Sequence, residues 1–188
     1  RRERMERHGN NAAAFERHSL MELIAVLENP NYIINIGHVI RNVNGLGVDR
    51  LYVVDGLNRL DDDLAVLRSR KSLLKHSSGA IQFTDVRRFD TSQECLRALE
   101  ADGFASVATS PHRLSKKHCA LFDCAFDQPK LAIWFGEEAN GLSAFAIDHC
   151  DFCVSVPMAG GVESFNLATT TAIVLYEAIR QRGLREGW

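Results

Sequence analysis

Short apolar runs alternate along this chain with stretches in which apolar residues recur at helical spacing. Residues 21–27 form an apolar run closed by Glu28, Asn29 and Pro30, the pattern of a buried strand that empties into a loop. In 37–46 the apolar residues Val39, Ile40, Val43 and Leu46 fall at helical spacing, and Gly47 follows as a stop. Residues 51–54 predict a second strand, 81–83 and 104–108 weaker ones, and 131–135 and 152–156 the last two. Helices are predicted over 60–74, 92–101, 142–148 and 164–182. The last has Ser164 as its N-cap, arginines in its final turn and Gly183 just beyond. This alternation predicts the α/β class, a mostly parallel sheet covered by helices. No repeat or linker-like tract interrupts it, so 19–188 is expected to be one domain behind a polar, arginine-bearing tail at 1–18.

Two of the predicted strands stop abruptly at polar, glycine-bearing loops. One loop follows 131–135 and reads Gly-Glu-Glu-Ala-Asn-Gly-Leu-Ser at 136–143; the other reads Val-Pro-Met-Ala-Gly-Gly-Val-Glu-Ser-Phe-Asn at 156–166. Loops at the carboxyl ends of parallel strands build the ligand crevice of an α/β sheet. Bare backbone and hydrogen-bonding side chains there suit a mostly neutral ligand such as a nucleoside. Tight turns alone rarely need Glu, Asn and Ser placed so regularly.

Composition narrows the choices. The 188 residues carry a formal net charge of −2, so no global field draws the chain to nucleic acid and an RNA partner has to be held by local patches. The densest basic stretch holds Arg68, Arg70, Lys71 and Lys75. No apolar run approaches the ~20 residues of a membrane span, and a cytoplasmic protein is expected. The five cysteines are an odd number without secretory context and read as reduced, structural thiols. The Cys150 and Cys153 pair has CxxC spacing but no second pair to complete a zinc site, and no metal is expected. The chain has no GxGxxG after its first strand, and no GxxxxGK[ST], HExxH or GxSxG, which sets aside the common dinucleotide, P-loop, zincin and α/β-hydrolase sites.

A third cluster lies upstream, with Asn35 at the expected start of a helix, Gly37 after it and Arg41 under two turns further on. An arginine on a helix that otherwise faces a core is costly unless it is paired or faces a site. Taken together, Asn-x-Gly-x-x-x-Arg at 35–41, Phe-Gly-x-Glu-x-x-Gly-Leu-Ser at 135–143 and Val-Pro-Met-x-Gly-x-x-x-Ser-x-Asn at 156–166 resemble the three motifs of the SpoU/TrmH-type RNA 2′-O-ribose methyltransferases of the SPOUT superfamily. The similarity runs from about residue 21 to 182.

The resemblance implies more than periodicity does. It implies a C-terminal deep trefoil knot, a rare exception among chain topologies, a homodimer, and S-adenosylmethionine as cofactor. Matched by motif, the cofactor would meet Thr109, Gly136, Val156, Met158, Phe165 and Leu167. Arg41 would be the central catalytic residue, either as base or as an electrostatic clamp, with Asn35, Glu138, Ser164 and Asn166 orienting it and the ribose. The substrate would be RNA, with tRNA favoured over rRNA because compact relatives often act on tRNA. The chain departs from the family in the four residues between Pro30 and Asn35, where the family has fewer, and in Phe165 and Asn42. The competing reading is a non-catalytic RNA-binding or assembly protein with the same fold; intact Asn35, Arg41, Glu138, Ser164 and Asn166 count against it. Methylation of a base instead of a ribose is disfavoured by the 35–41 cluster.

Overall fold

The computed structural model describes residues 21–110 and 117–183. Its strands are β1 (Glu22–Glu28), β2 (Arg50–Val54), β3 (Val86–Phe89), β4 (Ala105–Thr109), β5 (His118–Ala120), β6 (Lys130–Phe135) and β7 (Phe152–Ser155). They pair in the order β3-β2-β1-β6-β4-β7-β5, and every pairing is parallel. The helices are α1 (Ile33–Leu46), α2 (Leu64–Ser69), α3 (Lys71–His76), α4 (Ser92–Ala101), α5 (Ala144–His149) and α6 (Leu167–Arg182). The tail expected at 1–18 lies outside the described residues.

Both faces of the sheet are covered, which is why its inner strands read as continuous apolar runs and not as alternations. Leu23, Ala25 and Leu27 of β1 pack with Ile36, Val39, Ile40 and Val43 of α1 and Val174 and Leu175 of α6. Ile24 and Val26 face the opposite layer, with Leu96 and Leu99 of α4 and Ala146 and Ile147 of α5. The sheet therefore ends, at the carboxyl tips of β1, β4, β6 and β7, in one shared rim.

Several boundaries differ from the sequence reading, each for a local reason. The strand expected at 81–83 is a single 3₁₀ turn, Ala80–Gln82, and the edge strand lies instead at Val86–Phe89, where Val86 and Phe89 are buried and Arg87 is exposed. The helix expected over 60–74 is two short helices, because Arg70 between them is extended at φ −66° and ψ 113°. Asn35 is not a cap: α1 begins two residues before it, behind Tyr32, whose side chain makes no capping bond. Nor does Ser164 cap the last helix, since Asn166 does, accepting from the Ala168 N–H. Strand β5 was not foreseen.

The thiols are also not all reduced. Cys119 and Cys124 form a disulfide whose Cα atoms are 5.6 Å apart, within the reach such a bridge requires. Cys95, Cys150 and Cys153 are free, and burial pushes all three thiols up, Cys153 to about 11. At neutral pH they are protonated, which makes them weak nucleophiles and poor metal ligands. Among the described residues no group of three His, Cys, Asp or Glu could hold a metal ion, and no helix is long and apolar enough to cross a membrane.

The last turn of α6 is tied down by a buried cation. The Arg182 guanidinium donates to the carbonyls of Glu22 and Pro129, each at 2.9 Å, and to those of Phe126 and Gln128. Burial lowers its pKa, against the fields of Asp49 and Asp127. Arg182→Met keeps the stem but leaves these carbonyls without a donor. The expected cost is about 2–4 kcal/mol, a fall in melting temperature of roughly 5–15 °C for a domain of this size. An unchanged thermal melt would show that water replaces the guanidinium without loss.

Candidate functional site

The rim at the carboxyl tips holds a cavity of about 500 Å³. Its floor is made where β6 ends. Gly136 runs so close to the returning chain that an added Cβ would lie 1.9 Å from the Gly141 carbonyl carbon and 2.1 Å from the Leu142 nitrogen. Only glycine fits. The turn closes through paired backbone bonds between Glu137 and Gly141, both 3.1 Å, with Gly141 at φ 72°. Burial pushes the Glu137 carboxyl up, but hydrogen bonds from the Asn140 and Ala139 N–H groups and from the Asn140 and Asn31 side chains outweigh it and hold the group below the usual carboxylate range.

This turn is bolted to the centre of the sheet by Glu28, the last residue of β1 and 3% exposed. Its carboxylate accepts the Ser143 N–H and hydroxyl, both at 2.7 Å, and the Ser92 hydroxyl from α4. Ser143 also caps α5 by accepting from the Ala146 N–H at 3.1 Å. Neither Glu28 nor Asn31 was picked out from the sequence. The available signal was a carboxylate closing an apolar strand ahead of Asn-Pro, where a charge is expensive unless it is met by donors.

Next to the floor, side chains from three distant segments converge. Asn35 donates to Glu138 at 2.5 Å and accepts from Asn166 at 3.4 Å, while the Asn31 N–H donates to the other Glu138 oxygen at 2.9 Å. Asn31 also donates its carboxamide to Glu137. The structure thus joins the clusters at 35–41, 135–143 and 156–166 by direct hydrogen bonds.

The cavity wall includes Thr109, Gly136, Val156, Met158, Phe165 and Leu167, together with Glu138, Ser164 and Asn166. Thr109 is fixed there by donating its hydroxyl to the Trp134 carbonyl at 2.8 Å. Glu163 also lines the wall and was not anticipated. Arg41 does not line it. The residue is exposed on α1 and borders a shallower groove of about 670 Å³ with Asn42, Leu46, Leu121, Ile173 and Tyr176. Asn42 donates to the Ala168 carbonyl at 2.7 Å and so binds α1 to the start of α6, next to Asn166.

The basic stretch is divided. Arg70 is occupied by Asp61, at 3.6 Å, and by the Arg59 carbonyl. Arg68 is half-buried on α2, and Lys71 and Lys75 are exposed on α3. That helix packs against α1 at Gly37, where a Cβ would stand 2.6 Å from the His76 Cβ, and His76 meets His38 edge-on with ring centroids 5.5 Å apart. The two lysines therefore sit on the helix adjoining the one that carries Arg41.

A sheet of this order, with a polar cleft built from glycine-broken loops at its carboxyl rim, is a parallel α/β domain with its crevice at the carboxyl ends of the strands. The SpoU rRNA Methylase family profile matches residues 22–176, and the chain belongs to that family. It is 33% identical over 153 residues to the 23S rRNA (uridine(2479)-2'-O)-methyltransferase of Streptomyces viridochromogenes, a match covering 79% of this chain and 49% of that one. Its fold superposes with a TM-score of 0.72 on the SpoU methyltransferase AviRb from Streptomyces viridochromogenes in complex with the cofactor AdoMet. The identity is 32%, covering 86% of this chain and 58% of that one. It superposes with a TM-score of 0.73 and 27% identity on a protein described under 2-OH methylation of C/U34 on tRNA, covering 88% of this chain and 99% of that one. The first curated relatives are longer, and the match spans 49% to 60% of their length.

Proposed function

We propose that this chain transfers a methyl group from S-adenosylmethionine to a ribose 2′-hydroxyl of RNA, with tRNA favoured over rRNA. The observation that carries this reading is the Asn35–Glu138–Asn166 network, which draws three separate motifs to one cleft beside a cavity of nucleoside size. The cavity suits the cofactor chemically. It offers the apolar side chains of Val156, Met158 and Leu167 and the close-approach backbone at Gly136 to an adenosine. The carboxylates of Glu137, Glu138 and Glu163 stand on the wall and complement a cationic ligand. S-adenosylmethionine bound there supplies a methyl group on a positively charged sulfur, already a strong electrophile.

What the protein has to add is position and charge control at the ribose. Both Glu138 oxygens are engaged by Asn31 and Asn35, so its role is to hold those two residues in place. Asn35 and Asn166 in turn fix the starts of α1 and α6 against each other. Arg41, exposed and without a hydrogen bond or ion pair to any described residue, has its full fork of donors available for a phosphate. A guanidinium offers a fork of donors and no acceptor, so we assign Arg41 the clamp role: it grips the phosphate beside the target ribose and stabilises the oxygen as it gains negative charge.

The preference for tRNA is supported by the match along 99% of the protein associated with tRNA C/U34. The same reading includes a C-terminal deep trefoil knot and a homodimer. The dimer is supported by the apolar groove beside Arg41, which exposes 61% of Tyr176. A crystal structure showing isolated copies would remove the dimer, and one in which the chain end passes through no loop would remove the knot.

Calorimetry with S-adenosylmethionine, followed by incubation with tRNA and rRNA, nuclease digestion and mass analysis, tests the activity. The expected product is a 2′-O-methylated nucleoside, in greater yield from tRNA. Methyl recovered on a base would move the chemistry elsewhere. Cofactor uptake without methylation of either RNA would favour the non-catalytic alternative.

A further inference from the structure

The wall of the large cavity carries one sign of charge. Among the described residues it holds Glu137, Glu138 and Glu163, and no Lys, Arg or His. A cleft lined by a single sign focuses its field on whatever enters, so this wall attracts cations and repels phosphates. Two of the three carboxylates are already engaged by the protein. Glu138 accepts the Asn31 N–H on one oxygen and the Asn35 carboxamide on the other. Glu137 accepts the N–H groups of Ala139 and Asn140 and the carboxamides of Asn140 and Asn31. These bonds fix both side chains and spend their oxygens on neutral donors.

Glu163 differs. It lines the same wall from the loop between β7 and α6, is exposed, and makes no hydrogen bond or ion pair with any described residue. The loop that carries it is anchored close by. Three residues further on, Asn166 donates to Asn35 and accepts the Ala168 N–H at the start of α6. Glu163 is therefore a carboxylate held at the cavity beside the meeting point of the three motifs, with its acceptor sites open to a ligand.

We propose that Glu163 reads the charge of the cofactor: its carboxylate pairs with a positive group of S-adenosylmethionine. This rests on the reading of the chain as a methyltransferase whose cofactor occupies this cavity. The cofactor carries two such groups, the methyl-bearing sulfonium and the ammonium of its amino-acid end. Pairing with the sulfonium would also favour turnover. When the methyl group leaves, the sulfur keeps the electron pair of the broken bond and becomes a neutral thioether, so the attraction to Glu163 lapses and the spent cofactor departs more readily.

Calorimetry on the unaltered chain and on Glu163→Gln, which removes the charge and keeps the shape, uses three probes. S-adenosylmethionine has both positive groups, S-adenosylhomocysteine has only the ammonium, and 5′-methylthioadenosine has neither. Glu163→Gln is expected to weaken S-adenosylmethionine by roughly 3- to 30-fold, between the worth of an exposed ion pair and that of a charge-assisted hydrogen bond. Its affinity for 5′-methylthioadenosine and its melting temperature are expected to stay the same. Glu163→Lys, which reverses the charge, is expected to weaken S-adenosylmethionine further. A loss confined to S-adenosylmethionine supports the proposal with the sulfonium as partner, and a loss shared with S-adenosylhomocysteine supports it with the ammonium. Unchanged S-adenosylmethionine affinity in Glu163→Gln overturns it while leaving methyl transfer intact. An equal loss for all three probes overturns it by showing that Glu163 shapes the loop. An unaltered chain that binds none of the three removes this proposal together with the reading beneath it.

Discussion

Arg41→Ala is expected to lower kcat for RNA methylation by roughly 10²- to 10³-fold, the usual effect of removing one group that stabilises developing negative charge. The dissociation constant for S-adenosylmethionine should not move, because Arg41 lies outside the cavity wall. Stability should also hold, since the side chain is exposed and has no bonded partner among the described residues. The separation of the two readouts is the point of the experiment. Calorimetry reports the cavity and a single-turnover methylation assay reports the chemistry. Loss of both together would mean that Arg41 shapes the pocket. Arg41→Lys refines the result: it keeps the charge and loses the fork, so a clamp that works by paired hydrogen bonds should be only partly restored.

Gly136→Ala should do the reverse and abolish cofactor binding by breaking the floor. The added methyl would stand 1.9, 2.1 and 2.4 Å from three backbone atoms of Gly141 and Leu142, none of which can rotate away as a side-chain tip would. The turn has to open. That breaks the paired Glu137–Gly141 bonds and moves Glu138 away from Asn35. Overpacking of this kind costs about 1–3 kcal/mol before lost hydrogen bonds are added, so a lower melting temperature should accompany at least a 10²-fold loss of affinity, estimated from two or three displaced polar contacts. Gly160→Ala is the control, because a Cβ there meets nothing within 4 Å. If Gly136→Ala still binds S-adenosylmethionine at full affinity, the ligand does not lie on this turn.

The α/β class and the strands β1, β2 and β6 are legible in the sequence, because burial on both faces leaves a nearly continuous apolar run in each. The edges were harder. β3 carries Arg87 and Arg88 between its two buried residues, and β5 has only three residues, so neither writes a pattern strong enough to read. The start of α1 was hidden for a different reason: Ile33 and Ile34 are β-branched and Tyr32 caps without a side-chain bond, so the usual N-terminal signal is missing. Cavity residues such as Thr109 and Met158 were named only through resemblance, since nothing in their chemistry singles them out. Glu28 and Asn31 were overlooked because their importance lies in pairs separated by 115 and 107 residues, a distance over which local patterns carry no information.

Arg182 grips the carbonyl of Glu22, so the peptide enters and leaves this folded unit side by side, on the flank facing away from the cleft. Additional modules could be joined before β1 or after α6 at a single corner, and neither junction would press on the turn at Gly136 or on Asn35.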